Sequence, residues 1–135
     1  LLKPKDLIFP YRLEMGTKLI TKNGNNLYNF WENRLHQALL SELKNEEEII
    51  NLASEEYSKA IQLNKFSNPV ITPVFKDLKN GKLKVISFFA KRARGEMVNF
   101  IIKNKIKNSE NLKSFSNLGY QFTEGTKKGE FLFTR

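Results

Sequence analysis

The segment Lys79-Asn80-Gly81-Lys82, set between two apolar-rich runs, constrains this chain more than any other stretch. Asn-Gly supplies the positive φ angles of a two-residue hairpin turn, so Val70 to Asp77 and Lys82 to Phe89 are expected to pair as antiparallel strands. Phe88-Phe89-Ala90 then leads into a helix expected from about Ala90 to Ile106. A hairpin feeding a helix needs a sheet-on-helix core, and the rest of the pattern supplies one.

Upstream, apolar residues alternate with Arg12 and Glu14 from Tyr11 to Met15, a strand-like pattern with both charges on one face. Asn23-Gly24 signals a turn, and Leu27 to about Leu43 carries helical spacing through Leu27, Trp31 and Leu35. His36 falls on the far side of that stripe and is expected in solvent. Ile49 to Leu52 suggests a short buried strand, with Ser54 as the N-cap of a short helix that has Glu55 and Glu56 in its first turn. A further short helix is expected after Ser109, then strands over Tyr120–Phe122 and Glu130–Phe133. The fold class is α+β, with largely antiparallel pairing and no internal boundary over residues 1–135.

Composition narrows the function. The 135 residues are 40% hydrophobic, enough for one real core. The longest apolar run, Val85 to Ala90, is six residues and already contains Ser87, against about twenty for a membrane-spanning helix. There is no cysteine and one histidine, so thiolate and most imidazole metal or triad chemistry is excluded within this sequence. No phosphate loop, G-x-G-x-x-G, H-E-x-x-H or calcium loop is present, and no cofactor is expected. Glu55 and Glu56 are adjacent and diverge on a helix, so by themselves they form no acid–base pair. Phe88, Phe89 and Phe100 sit where core residues belong, which leaves no stacking platform for single strands.

The net charge is +9, and it is polarised. Residues 42–56 carry six Glu against one Lys, whereas residues 91–107 carry six basic side chains against Glu96 alone. On a helical wheel Ala93, Met97, Val98, Phe100, Ile101 and Ile102 form an apolar arc with Ala90, and Arg92 lies opposite. Arg94 falls inside the arc, with Lys91 at its edge. A guanidinium there needs an internal carboxylate, a stem lying over the core with its head in water, or a cleft with a bound anion. Arg12 and Glu14 pose the same choice between mutual neutralisation and a ligand.

The ordered blocks Pro10-Tyr11-Arg12-Leu13-Glu14-Met15-Gly16, Leu27-Tyr28-Asn29-Phe30-Trp31, Asn51-Leu52-Ala53-Ser54-Glu55-Glu56-Tyr57, Pro73-Val74-Phe75 and Ile86 through Gly95 resemble the YaaA family of bacterial peroxide-stress proteins. The resemblance covers nearly the whole chain. Family members are roughly twice as long, and Leu1, which is not an initiator methionine, would correspond to a point midway through them. The resemblance implies a cytoplasmic protein with a basic cleft that limits oxidative damage by lowering unincorporated iron and binds duplex or branched DNA. The partners it implies are that DNA and the N-terminal half of the same protein, with exposed apolar surface expected where that half packs. It also implies that Arg12, Lys91 and Arg94 contact phosphate, with Arg92 at the rim. The alternative is an enzyme on a nucleotide or nucleic-acid substrate, in which Arg12 and Arg94 hold phosphate and Glu14 or Glu56 serves as acid–base.

Overall fold

The computed structural model describes residues 5–9, 14–125 and 127–135, and these group into two compact units. The first takes in the chain up to Asn45 together with Glu55–Phe66. The strand expected over Tyr11–Met15 lies partly outside the described residues. Its described end is no strand, because Met15 and Gly16 form a turn closed by the Thr17 amide on the Glu14 carbonyl. Strands β1 (Lys18–Thr21) and β2 (Gly24–Asn26) form an antiparallel hairpin around the expected Asn23-Gly24 turn.

The Asn26 side chain accepts the Asn29 amide and so caps helix α1 (Leu27–Trp31). The single helix expected from Leu27 to Leu43 is broken. Glu32 adopts φ 47°, and α2 runs over Arg34–Leu40. No glycine or proline announces that break. It is held by a tertiary bond, the Gln62 amide donating to the Glu32 carbonyl. The break also turns His36 inward. Expected in solvent, it is only 8% exposed and lies against Phe66 at 4.2 Å between ring centroids. Helix α3 (Glu55–Ile61) forms where expected, but Ser54 Oγ is buried without a hydrogen-bond partner and does not cap it. Met15, Leu27 and Ala60 form this unit's small core.

The second unit comprises Glu46–Ser54 and Ser67–Arg135. Its sheet runs β3 (Ile49–Ile50), β4 (Val70–Lys79), β7 (Glu130–Thr134), β6 (Gln121–Glu124), with β5 (Lys82–Lys84) also paired to β4. The expected hairpin is present. Asn80 at φ 53° and Gly81 at φ 72° turn β4 into β5 in antiparallel register. β6 and β7 are antiparallel too, whereas β4 runs parallel to both β3 and β7, so the sheet is mixed. The expected strand Lys82–Phe89 stops at Lys84, because helix α4 (Ser87–Lys103) starts before Ala90. It ends earlier than Ile106 in a Schellman cap, with Lys105 at φ 50°, its amide on the Ile102 carbonyl and the Ile106 amide on the Ile101 carbonyl. The helix expected after Ser109 is a 3₁₀ segment, Ser109–Ser114, seated by the Glu48 carboxylate on the Ser109 amide and hydroxyl.

Ala90, Ala93 and Met97 of α4 pack with Phe75, Leu112, Phe115, Tyr120 and Phe133. Phe75 stacks on Phe133 at 5.3 Å and meets Phe115 edge-on at 5.9 Å. Phe75→Ala is expected to cost about 3–5 kcal/mol, since the ring is fully enclosed and its neighbours cannot collapse without losing their edge contacts. Urea unfolding measures this, and a loss below about 1 kcal/mol would show that the aromatic cluster does not hold the unit together.

Candidate nucleic-acid interface

Lys91, Arg92 and Arg94 all stand on α4, which the buried alanines fix in rotation. Lys91 and Arg92 are exposed, and Arg94 is half-buried. The expected apolar arc is narrower than the sequence suggests. Ala90, Ala93 and Met97 are buried and Phe100 and Ile101 partly so, but Val98 and Ile102 face solvent. Arg94 therefore borders the buried stripe rather than lying within it. Among the described residues neither Lys91 nor Arg94 makes a hydrogen bond or ion pair, so the internal carboxylate considered for Arg94 is not there.

The acidic candidates belong to the first unit. Glu56 directs its carboxylate to the Met15 amide at 2.7 Å, and its carbonyl accepts the Tyr28 hydroxyl. Glu56 thus holds the turn that follows Glu14, and Glu14 is exposed at the start of that turn. Arg12 lies outside the described residues.

Phe88 and Phe89 are not core residues. Phe88 is 72% exposed, Phe89 is 39% exposed, and only Phe100 of the three aromatics packs against the core. They leave the interior because α4 begins before them, so the strand alternation that would have buried one of them does not apply.

Sequence reasoning missed the group that anchors the helix start. Asp77, buried on β4, accepts the Tyr120 hydroxyl at 2.9 Å and the Arg135 Nε. The Arg135 guanidinium lies between the Phe89 and Tyr120 rings, at 4.8 and 4.6 Å from their centroids, and donates to the Leu118 carbonyl. A signal existed, because Asp77 shares strand parity with buried Pro73 and Phe75, and a carboxylate there needs donors. Burial pushes the Tyr120 phenol up to about 12, and the hydrogen bond to Asp77 adds to the rise. The same carboxylate holds Arg135 still more firmly protonated.

A separate cavity of about 520 Å³ is floored by Ile50, Ile101, Ile106 and Leu112 and rimmed by Glu46, Glu47 and Lys107. None of the predicted site residues lines it. No group of three or more His, Asp or Glu among the described residues is placed to hold a metal ion. No helix among them is long and apolar enough to cross a membrane.

The fold and this helix define an α+β protein with three cations, Lys91, Arg92 and Arg94, in the first half of α4. The chain belongs to the YaaA family of peroxide stress proteins, whose family description, "Peroxide stress protein YaaA", matches residues 1–126. It is 56% identical over 128 residues to a UPF0246 protein of Aliivibrio fischeri, covering 92% of this chain and 49% of that relative. A UPF0246 protein of Flavobacterium johnsoniae is 51% identical over 136 residues, covering the whole of this chain and 54% of its own length. The chain thus spans about half the length of the curated relatives it matches.

The raised Tyr120 gives a pH signature. Its phenol stays protonated in the fold after the unfolded chain has released its proton, so stability is full below pH 10 and falls as the pH rises towards 12. One tyrosine is expected to ionise near 12 by ultraviolet titration, and Asp77→Asn lowers that value while burial keeps it above 10. Ionisation of every tyrosine near 10 would contradict the buried bond.

Proposed function

We propose that this chain is a DNA-contacting part of a cytoplasmic peroxide-stress protein, with α4 bearing on the phosphate backbone. The supporting observation is a run of six cations without an acidic residue, Lys79 to Gly95, in which Lys91 and Arg92 are exposed and Arg94 has no carboxylate partner among the described residues. Such side chains bind by releasing counterions and reading backbone shape rather than base edges. Lys91 and Arg94 contact phosphate, Arg92 serves the rim, and Arg12 is a further contact on the resemblance alone. The whole protein limits oxidative damage by lowering unincorporated iron, and its N-terminal half is the other partner of this chain. That half packs on the β4–β5 hairpin, where Leu78 and Leu83 face each other in register and are both exposed. The enzyme alternative gains no support from Glu56, whose carboxylate is engaged by a backbone amide.

Fluorescence anisotropy with labelled duplex and four-way-junction DNA, titrated at several salt concentrations, tests this reading. Affinity is expected to fall steeply with salt, and Arg94→Ala to make the slope shallower by about one. Binding that ignores salt, or a slope that Arg94→Ala leaves unchanged, would remove α4 from the contact.

A further inference from the structure

The end of α4 shapes the cavity that the DNA reading leaves unused. Its Schellman cap, with the Ile106 amide on the Ile101 carbonyl, folds the chain back so that both isoleucines line one space. Ile50 of β3 and Leu112 of the 3₁₀ segment complete an aliphatic floor. Leu112 is fully buried, but the three isoleucines are only partly so, and they border a volume of about 520 Å³. Small-molecule sites span roughly 300–1,000 Å³ and combine an apolar lining with a few fixed polar groups. Every residue lining this cavity belongs to the second unit, so that unit alone builds it.

The charge at the rim runs against that of the chain. The net charge is +9, yet Glu46, Glu47 and Glu48 line the cavity and Lys107 is the one cation among the lining residues. Glu48 accepts the Ser109 amide at 2.9 Å and the Ser109 hydroxyl at 2.7 Å. Both donors are neutral, so they fix the carboxylate in place without cancelling its charge. Glu46 and Lys107 make no hydrogen bond or ion pair among the described residues. A phosphate or carboxylate entering here would meet three carboxylates against one ammonium. A wholly apolar molecule would cover charges and give them no partner. The floor holds no aromatic ring to grip a quaternary ammonium by cation–π contact, so recognition falls on charge-assisted hydrogen bonds.

We propose that this cavity binds an aliphatic primary amine as its protonated form, with the ammonium held by Glu46 and Glu48 and the hydrocarbon chain on Ile50, Ile101 and Ile106. Such an amine is charged at neutral pH, as a lysine side chain is, and it brings three donors to two carboxylates. Lys107 stands against a second positive charge, so the site favours a monoamine over a polyamine. The site shares no residue with Lys91, Arg92 and Arg94, and it stands whether or not the chain meets DNA.

The test follows backbone amide shifts of the full chain by NMR during titration with octylammonium chloride, sodium octanoate and butylammonium chloride. Octylammonium is expected to saturate, with the largest shifts at Ile50, Ile101, Ile106 and Ser109. Octanoate carries the same chain with the opposite charge and binds at least tenfold more weakly, and butylammonium loses at least tenfold with its four methylenes. Glu46→Gln weakens octylammonium about threefold to tenfold. Lys107→Gln strengthens it about twofold, a gain that a misfolded variant cannot produce. Equal binding of octylammonium and octanoate would overturn the proposal, as would affinity untouched by both substitutions. Shifts that never saturate, or that centre on exposed Leu78 and Leu83, would overturn it too, because they mark non-specific adsorption.

Discussion

The packing of α4 on the aromatic cluster is the constraint from which the rest of the second unit follows. Phe75 and Phe133 come from two parallel strands and stack, and Phe115 closes on both edge-on. Such a cluster accepts a helix only where the helix is small enough to approach it, and Ala90 and Ala93 provide that flank, with Met97 filling the next turn. Once those three residues are inward, helical geometry turns Phe88, Lys91, Gly95, Val98 and Ile102 outward. The exposed face is therefore a consequence of the core.

Asp77 ties the start of that helix to the sheet. Its two oxygens take Tyr120 and Arg135, and the guanidinium sandwiched between Phe89 and Tyr120 links the last strand to the first turn of α4. Breaking one partner strands the others. The carboxylate would lose its donors inside the fold, or the phenol and guanidinium would lose their acceptor. The opposite charge habit governs the surface of α4, where Lys91 and Arg94 make no ion pair among the described residues. Internal charge is neutralised and external charge is left available.

The hairpin at Asn80-Gly81, the helix after it, the α+β class and the family were all legible, because each is written in local turn chemistry, periodicity or ordered blocks of residues. Long-range pairing was not. Nothing in β4 announces that it lies parallel to β7, and nothing at Glu32 announces a break that Gln62 stabilises from thirty residues away. His36 and Phe88 were misplaced for related reasons. A wheel drawn through an unbroken helix put His36 outside, and a strand carried past Lys84 put Phe88 inside. The cations of α4 were found by charge alone, but which of them stand exposed emerged only from the packing of the helix.

The central claim is that the outward face of α4 is the part of this chain that meets DNA. Backbone amide shifts followed by NMR during titration with a four-way junction test it most directly. The account requires the largest shifts between Ser87 and Lys103, greatest around Lys91, Arg94 and Gly95, with little change over the acidic stretch Glu46–Glu48. Shifts concentrated outside α4, or an unperturbed α4 at saturating DNA, would contradict it.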